Sequence, residues 1–163
     1  MAINKYRPHV LLLPEDEANN EIVNGFLLDT RLDLRVIQAL EVAGGWTHVR
    51  DRFQSDHINA MVRFPHRTMV LLVDFDERED RMSEMTKVIP PELTDRVFVI
   101  GVKTEPEELK KTKFSSLEVV GKGLAQDCAE DTNVFWSHDL LVHNFAELTR
   151  LRAKVQPFLF PVG

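Results

Sequence analysis

Three features of the sequence predict an α/β fold with a mainly parallel sheet. Apolar runs short enough to be strands alternate with longer segments of helical period, the pattern of βαβ units. The runs His9-Val10-Leu11-Leu12-Leu13 and Thr68-Met69-Val70-Leu71-Leu72-Val73 are continuous rather than alternating, as strands buried on both faces require. Both stop abruptly in acids, at Pro14-Glu15-Asp16-Glu17 and at Asp74-Phe75-Asp76-Glu77-Arg78-Glu79-Asp80. The 163 residues therefore predict one α/β domain, a central sheet of about four strands flanked by helices in a Rossmann-like arrangement. Its motif-bearing core spans about 9–102 and a helical part about 103–163. No glycine- or proline-rich linker divides the chain.

The elements follow in order. After the first strand, a helix with an Asn cap at Asn19 or Asn20 carries Ile22, Val23, Phe26 and Leu27 at helical spacing. Leu34 to Leu40 reads as the second strand. Gly44-Gly45 turns the chain, and Trp46, Val49, Phe53, Ile58 and Met61 trace a long, irregular helix. The third strand is Thr68 to Val73; after the Pro90-Pro91 break, Arg96 to Val102 forms the fourth. Thr104-Glu105-Pro106-Glu107 has the form of a capping box with Pro in the first turn, and Ser115-Ser116-Leu117-Glu118 repeats that form before a helix from Val119 to Cys128. Phe145, Leu148, Leu151 and Val155 mark a last amphipathic helix capped by Asn144 and followed by Pro157-Phe158-Leu159-Phe160.

Composition bounds the function. Twenty Lys and Arg against 26 Asp and Glu give a net charge of −6. Such a balance opposes general attraction to nucleic-acid phosphates and leaves only a local basic groove open to them. The single cysteine, Cys128, can form neither an intrachain disulfide nor a thiolate zinc cluster, and it sits on a helical apolar face as a small core residue. With no secretion signal at Met1 to Pro8 and no apolar window near ~20 residues, the sequence reads as cytoplasmic, with no membrane partner.

In open parallel sheets, ligands gather beyond the carboxyl ends of the strands. If the first and third strands lie side by side, Glu15, Asp74 and Asp76 come together, and three such acids repel one another unless a cation neutralises them. Carboxylate oxygens suit Mg²⁺ or Mn²⁺, ions that orient and polarise phosphates. Convergence to roughly 4 to 6 Å would place the three within reach of one ion. Solvated loop acids and helix caps are the plainer alternative, and Asp16 or Glu17 can serve only as such. Lys103, just past the fourth strand, is placed to meet a phosphate at this edge or to be an ordinary solvated lysine. Glu118 offers a fourth carboxylate or a capping-box acid. His138 and His143 lack the i, i+4 spacing of a helical metal pair, and Gly121-Lys122-Gly123 lacks the full spacing of a phosphate-cradling loop.

Val10-Leu11-Leu12-Leu13-Pro14-Glu15 followed by a helix, then Val70-Leu71-Leu72-Val73-Asp74-Phe75-Asp76, resembles the Toprim domain of topoisomerases, primases, recombination proteins and OLD-type nucleases. That resemblance covers roughly Val10 to Val102 and implies Mg²⁺ held by Glu15, Asp74 and Asp76, with Glu15 as general acid/base or metal-linked carboxylate. It implies nuclease-like chemistry on nucleic-acid phosphodiesters, and it permits a separate ATPase or DNA-binding partner chain. The long interval from Glu15 to Asp74 implies an insertion around Gly44 to Phe64. The same acids are also similar to the opening turn of response-regulator receiver domains, which would make Asp74 the phosphoacceptor, Thr104 the switch hydroxyl and Lys103 or Lys122 the phosphate-contacting lysine. A third reading, favoured by the negative charge, is a catalytically silent protein-interaction module.

Overall fold

Four apolar segments pair into one sheet in the computed structural model, which describes residues 3–111 and 115–161. The strands are β1 (His9–Pro14), β2 (Ile37–Ala39), β3 (Arg67–Leu72) and β4 (Val97–Ile100). All neighbours are parallel, in the order β2-β1-β3-β4. Val10 stands opposite both Ile37 and Thr68, Pro14 opposite Leu72, and Leu72 opposite Ile100. Every residue of β1 is buried, as its unbroken apolar run predicts. β2 is shorter than the predicted strand because Asp33 binds the backbone N–H and the Nε of Arg35 in a local turn that holds the chain out of the ladder.

Among the described residues, seven helices flank the sheet: α1 (Glu17–Phe26), α2 (Trp46–Arg52), α3 (Ile58–Arg63), α4 (Glu79–Thr86), α5 (Pro106–Lys110), α6 (Leu117–Glu130) and α7 (Phe145–Leu159). A π-helical turn, Phe53–His57, joins α2 to α3, which accounts for the irregular period of that stretch. Alternate strand residues serve two cores. On one face Val10, Leu12, Val70 and Ile100 meet α1, α6 and α7 through Val23, Val120, Leu124, Leu148 and Val155. On the other, Leu13, Met69, Leu71 and Val99 meet Val49, Phe53, Met61 and Met85.

Three caps differ from expectation. Asp16 rather than Asn19 or Asn20 caps α1, its Oδ1 accepting the Asn19 N–H at 3.1 Å. Ser116, one residue after the predicted Ser115, caps α6 by accepting from the Val119 N–H. No capping box forms at Thr104: Glu105 holds the N-cap position of α5 without a side-chain bond, and the Thr104 hydroxyl is buried with no partner. Asn144 does stand at the N-cap of α7, but its side chain is spent elsewhere. Its Oδ1 accepts from the Gly101 N–H at 3.1 Å, and its Nδ2 donates to the carbonyls of Gly101 and Leu141. Beside it Glu147 accepts from the Val99 N–H at 2.9 Å. Side chains of α7 thus occupy the backbone groups on the outer edge of β4, which would otherwise invite another strand.

On α7, Leu148 and Val155 are buried as predicted, whereas Phe145 is largely exposed, and the helix runs through Pro157 rather than ending before it. The α1–α6 contact explains the Gly121-Lys122-Gly123 segment. A Cβ on Gly121 would stand 1.9 Å from the Ile22 carbonyl oxygen, and one on Gly25 would stand 2.0 Å from that of Glu118. Only hydrogen at both positions lets the two backbones approach so closely. Among the described residues, no helix is long and apolar enough to cross a membrane.

Candidate metal centre at the β1/β3 crevice

The chain leaves β1 outward to β2 and then crosses back to β3, so β1 and β3 form the point where strand order reverses. The helices that follow them depart on opposite faces and leave a crevice beyond the carboxyl ends of this pair, the usual ligand position in such sheets. Glu15 and Asp74 stand there. The Glu15 N–H continues the ladder onto the Leu72 carbonyl at 2.9 Å, and the Glu15 carbonyl accepts from the N–H groups of Gly44 and Gly45. Asp74 is fixed from α4, where Arg81 donates to its carbonyl oxygen and lies 5.0 Å above the Trp46 ring. Asn19, buried on the first turns of α1, ties the crevice together: its Nδ2 donates to Asp16 Oδ1 and to Asp74 Oδ1, each at 3.0 Å.

Glu15, Asp16 and Asp74 each present a carboxylate oxygen, all within 4.8 Å of one another. Glu15 is only 7% exposed and Asp74 8%. Burial first, and then the neighbouring Glu15 charge, pushes the Asp74 carboxyl up to about 8. Burial likewise raises Glu15, although its hydrogen bond with Asp74 opposes the rise. Two such acids hold a proton between them at neutral pH. Glu15 Oε1 is buried with no hydrogen-bond partner among the described residues, a costly state for a carboxylate oxygen. A cluster of hard oxygens with an orphaned member has the donor chemistry that Mg²⁺ or Mn²⁺ takes. Oxygens sharing one ion at ~2.1 Å stand at most about 4.2 Å apart, so the 4.8 Å span would have to close slightly around an ion.

The predicted residues divide. Glu15 and Asp74 meet as expected, and Asp16, read from sequence as a loop or capping acid, joins them while also capping α1. Asp76 does not enter the cluster. It begins a left-handed turn (φ 50°, then 57° at Glu77) held by the carbonyls of Thr104 and Lys103, and its exposed carboxylate lies 4.0 Å from Arg81. Lys103 is exposed in a neighbouring groove with Phe75, Arg78 and His143. Glu118 sits on α6 at 4.0 Å from Lys122, in the first turn behind Ser116, outside the cluster. His143 stands edge-on to Phe75 with ring centroids 5.1 Å apart, and His138 Nδ1 accepts from the Leu140 N–H. Asn19 and Arg81 were hidden to sequence reasoning, since an amide on a helix and an arginine among acids carry no motif; only the i, i+3 spacing of Asp16 and Asn19 hints at their contact.

No family model, curated protein or solved structure matches this chain. Fold and site together define a four-stranded parallel α/β domain with a buried carboxylate cluster at its switch point.

Proposed function

We propose that this chain is a metal-dependent phosphotransfer domain of Toprim-like type, acting as a nuclease on nucleic-acid phosphodiesters with Mg²⁺ or Mn²⁺. The observation that carries the reading is the convergence of Glu15, Asp16 and Asp74 within 4.8 Å at the switch point. Glu15 and Asp74 would hold the ion, with Asp16 completing the oxygen set. Such an ion supplies Lewis-acid polarisation of a phosphoryl oxygen and lowers the pKa of a bound water. Asn19 keeps the Asp16 and Asp74 carboxylates at one spacing, and Arg81 anchors the Asp74 backbone. Lys103, exposed in the neighbouring groove, would be free to meet a substrate phosphate, whereas the exposed Asp76 carboxylate lies outside the oxygen set and takes no part in this reading.

Crystals soaked in Mn²⁺ should show one anomalous peak bridging Glu15 and Asp74, and Asp74→Asn should abolish both that peak and Mn²⁺-dependent cleavage of single- or double-stranded DNA or RNA. An ordered crevice without the ion overturns the metal half of the proposal. Ion binding without cleavage of any of these substrates supports the catalytically silent module instead. The receiver-like reading has one observation in its favour, the partnerless buried hydroxyl of Thr104 just beyond β4. It requires acetyl phosphate or beryllofluoride to label Asp74, and an inert Asp74 removes it.

A further inference from the structure

A groove at the outer edge of β4, beginning at the residue after Asp74, has a volume of about 440 Å³ and is lined by Phe75, Glu77, Arg78, Lys103, His143 and Glu147, among others. We propose that it seats one nucleotide of a single-stranded nucleic acid without reading its base, the nucleobase stacking on the His143 ring and a flanking phosphate meeting Lys103 and Arg78. The inference rests on the reading of Glu15 and Asp74 as a phosphodiester site and names the form of substrate that site would take.

Size comes first, because the volume suits one small molecule rather than a duplex. Position follows from the chain, since Phe75 is the residue after Asp74 and its N–H pairs with the Val102 carbonyl, so the groove opens where the carboxylate crevice ends. Phe75 itself is buried, and it props the exposed His143 edge-on at an interplanar angle of 86°. Partial desolvation of the imidazole on its Phe75 side lowers its pKa, so at neutral pH the exposed part of the ring is an uncharged stacking platform. Lys103 makes no ion pair among the described residues. The partner of Arg78 is the exposed Asp80 at 2.9 Å, a pair weak enough for a phosphate to replace.

Absence of base reading follows from the hydrogen bonds. All the capacity of the Asn144 side chain toward the groove is spent on Gly101 and Leu141. Both Glu147 oxygens are taken, one by the Val99 N–H and the other by Arg150. The Asn144 and Glu147 wall thus has its groups already engaged, and the remaining carboxylate of the lining, Glu77, is exposed, so discrimination among bases through this wall is expected to be slight. Two cations also account for only one or two phosphate contacts, consistent with a chain of net charge −6 that cannot hold a duplex by its backbone.

The test is fluorescence anisotropy of dye-labelled short single strands of deoxythymidine and of deoxyadenosine, and of the duplex they form, on the full chain without divalent ions. The proposal expects similar affinity for the two strands and weaker binding of the duplex. His143→Ala should weaken strand binding about tenfold or more, with His143→Phe restoring it. Lys103→Ala should lower the slope of log affinity against log salt by about one. Tighter binding of the duplex, strong preference for one base, or indifference to both His143→Ala and Lys103→Ala would overturn it. Failure of the underlying reading looks different: strand binding that depends on His143, with no Mn²⁺ at Glu15 and Asp74, rejects the metal centre and leaves the groove standing.

Discussion

The raised pKa of Asp74, which burial and the neighbouring Glu15 charge produce, makes the metal-free protein sensitive to alkali. The folded pKa of Asp74, about 8, lies above its ordinary 3.8, so between those values the native state binds a proton that the unfolded chain has released. Its stabilising contribution is complete below the lower value and is lost as pH rises through about 8. Thermal denaturation of the metal-free protein should therefore show a melting temperature that declines from pH 7 to pH 9, and Asp74→Asn should flatten that decline. Divalent cations act in the opposite sense, because they bind the deprotonated pair and displace its proton. At a hundredfold excess over its dissociation constant, Mn²⁺ should add about 2.7 kcal/mol, or roughly 5–10 °C at ~2–4 °C per kcal/mol. That gain should be larger at pH 8 than at pH 6 and absent from Asp74→Asn; a gain that persists in the variant would place the ion elsewhere.

At the scale of elements, two contacts decide whether the crevice keeps its shape. The glycine contact between α1 and α6 sets the position of the helix that carries Asn19. Gly121→Ala would push a methyl into the Ile22 carbonyl and force these helices apart, at a cost of about 1–3 kcal/mol or more. Urea denaturation should register that loss, and Mn²⁺ affinity should fall with it, whereas Lys122→Ala on the neighbouring exposed position should change neither. Asn144→Ala would strip partners from Gly101 and Leu141 and cost about 1–3 kcal/mol for each buried group left unpaired. Here the sequence was readable in some places and mute in others. Continuous apolar runs gave away β1 and β3 and the acids that end them, because burial on both faces leaves no room for alternation. The separation of Asp76 from Asp74 was not readable, since the turn between them is dictated by carbonyls of Lys103 and Thr104 nearly thirty positions on. The sequence rightly places Gly121 and Gly123 in a helix and denies them a phosphate loop, but it leaves their packing role mute because close helix contacts and loops use the same small residue. Asn19 looked like a cap because a cap and a carboxylate bridge both call for a short polar side chain at the start of a helix.

Across the whole molecule, charge is distributed by the direction of the strands. Their carboxyl ends carry the acid cluster, and their amino ends carry His9, Arg67 and Arg96, with Arg96 donating to the carbonyls of Met61, Phe64 and Arg67. His9 is buried between β1 and β3 with Nδ1 at 2.7 Å from the Arg7 carbonyl, so that nitrogen carries the proton and Nε2 accepts from Arg67 Nε at 3.0 Å. Protonating His9 would turn that acceptor into a donor facing a guanidinium. Burial lowers the pKa of His9, His57 and His143 alike, so each resists charging in the folded state. Unfolded histidines gain protons near 6.5, and stability is accordingly lost as pH falls below that value toward the folded pKa values. The acid limb of the stability profile should thus be shallower in His9→Gln, where the amide oxygen can still accept from Arg67. An unchanged acid limb in that variant would assign the loss to other groups. The π-helical turn at Phe53–His57 shortens none of this: it lets the α2–α3 span bury both Phe53 and Met61 against the same face of the sheet.

The sealing of β4 by Asn144 and Glu147 also limits how the fold can grow. A fifth strand would have to displace the first turn of α7 and give up three side-chain bonds to the backbone before gaining any ladder of its own. The sheet is therefore closed to growth at β4, and enlargement on that side, whether by a longer chain or by strand exchange between copies, has to begin by unwinding the last helix.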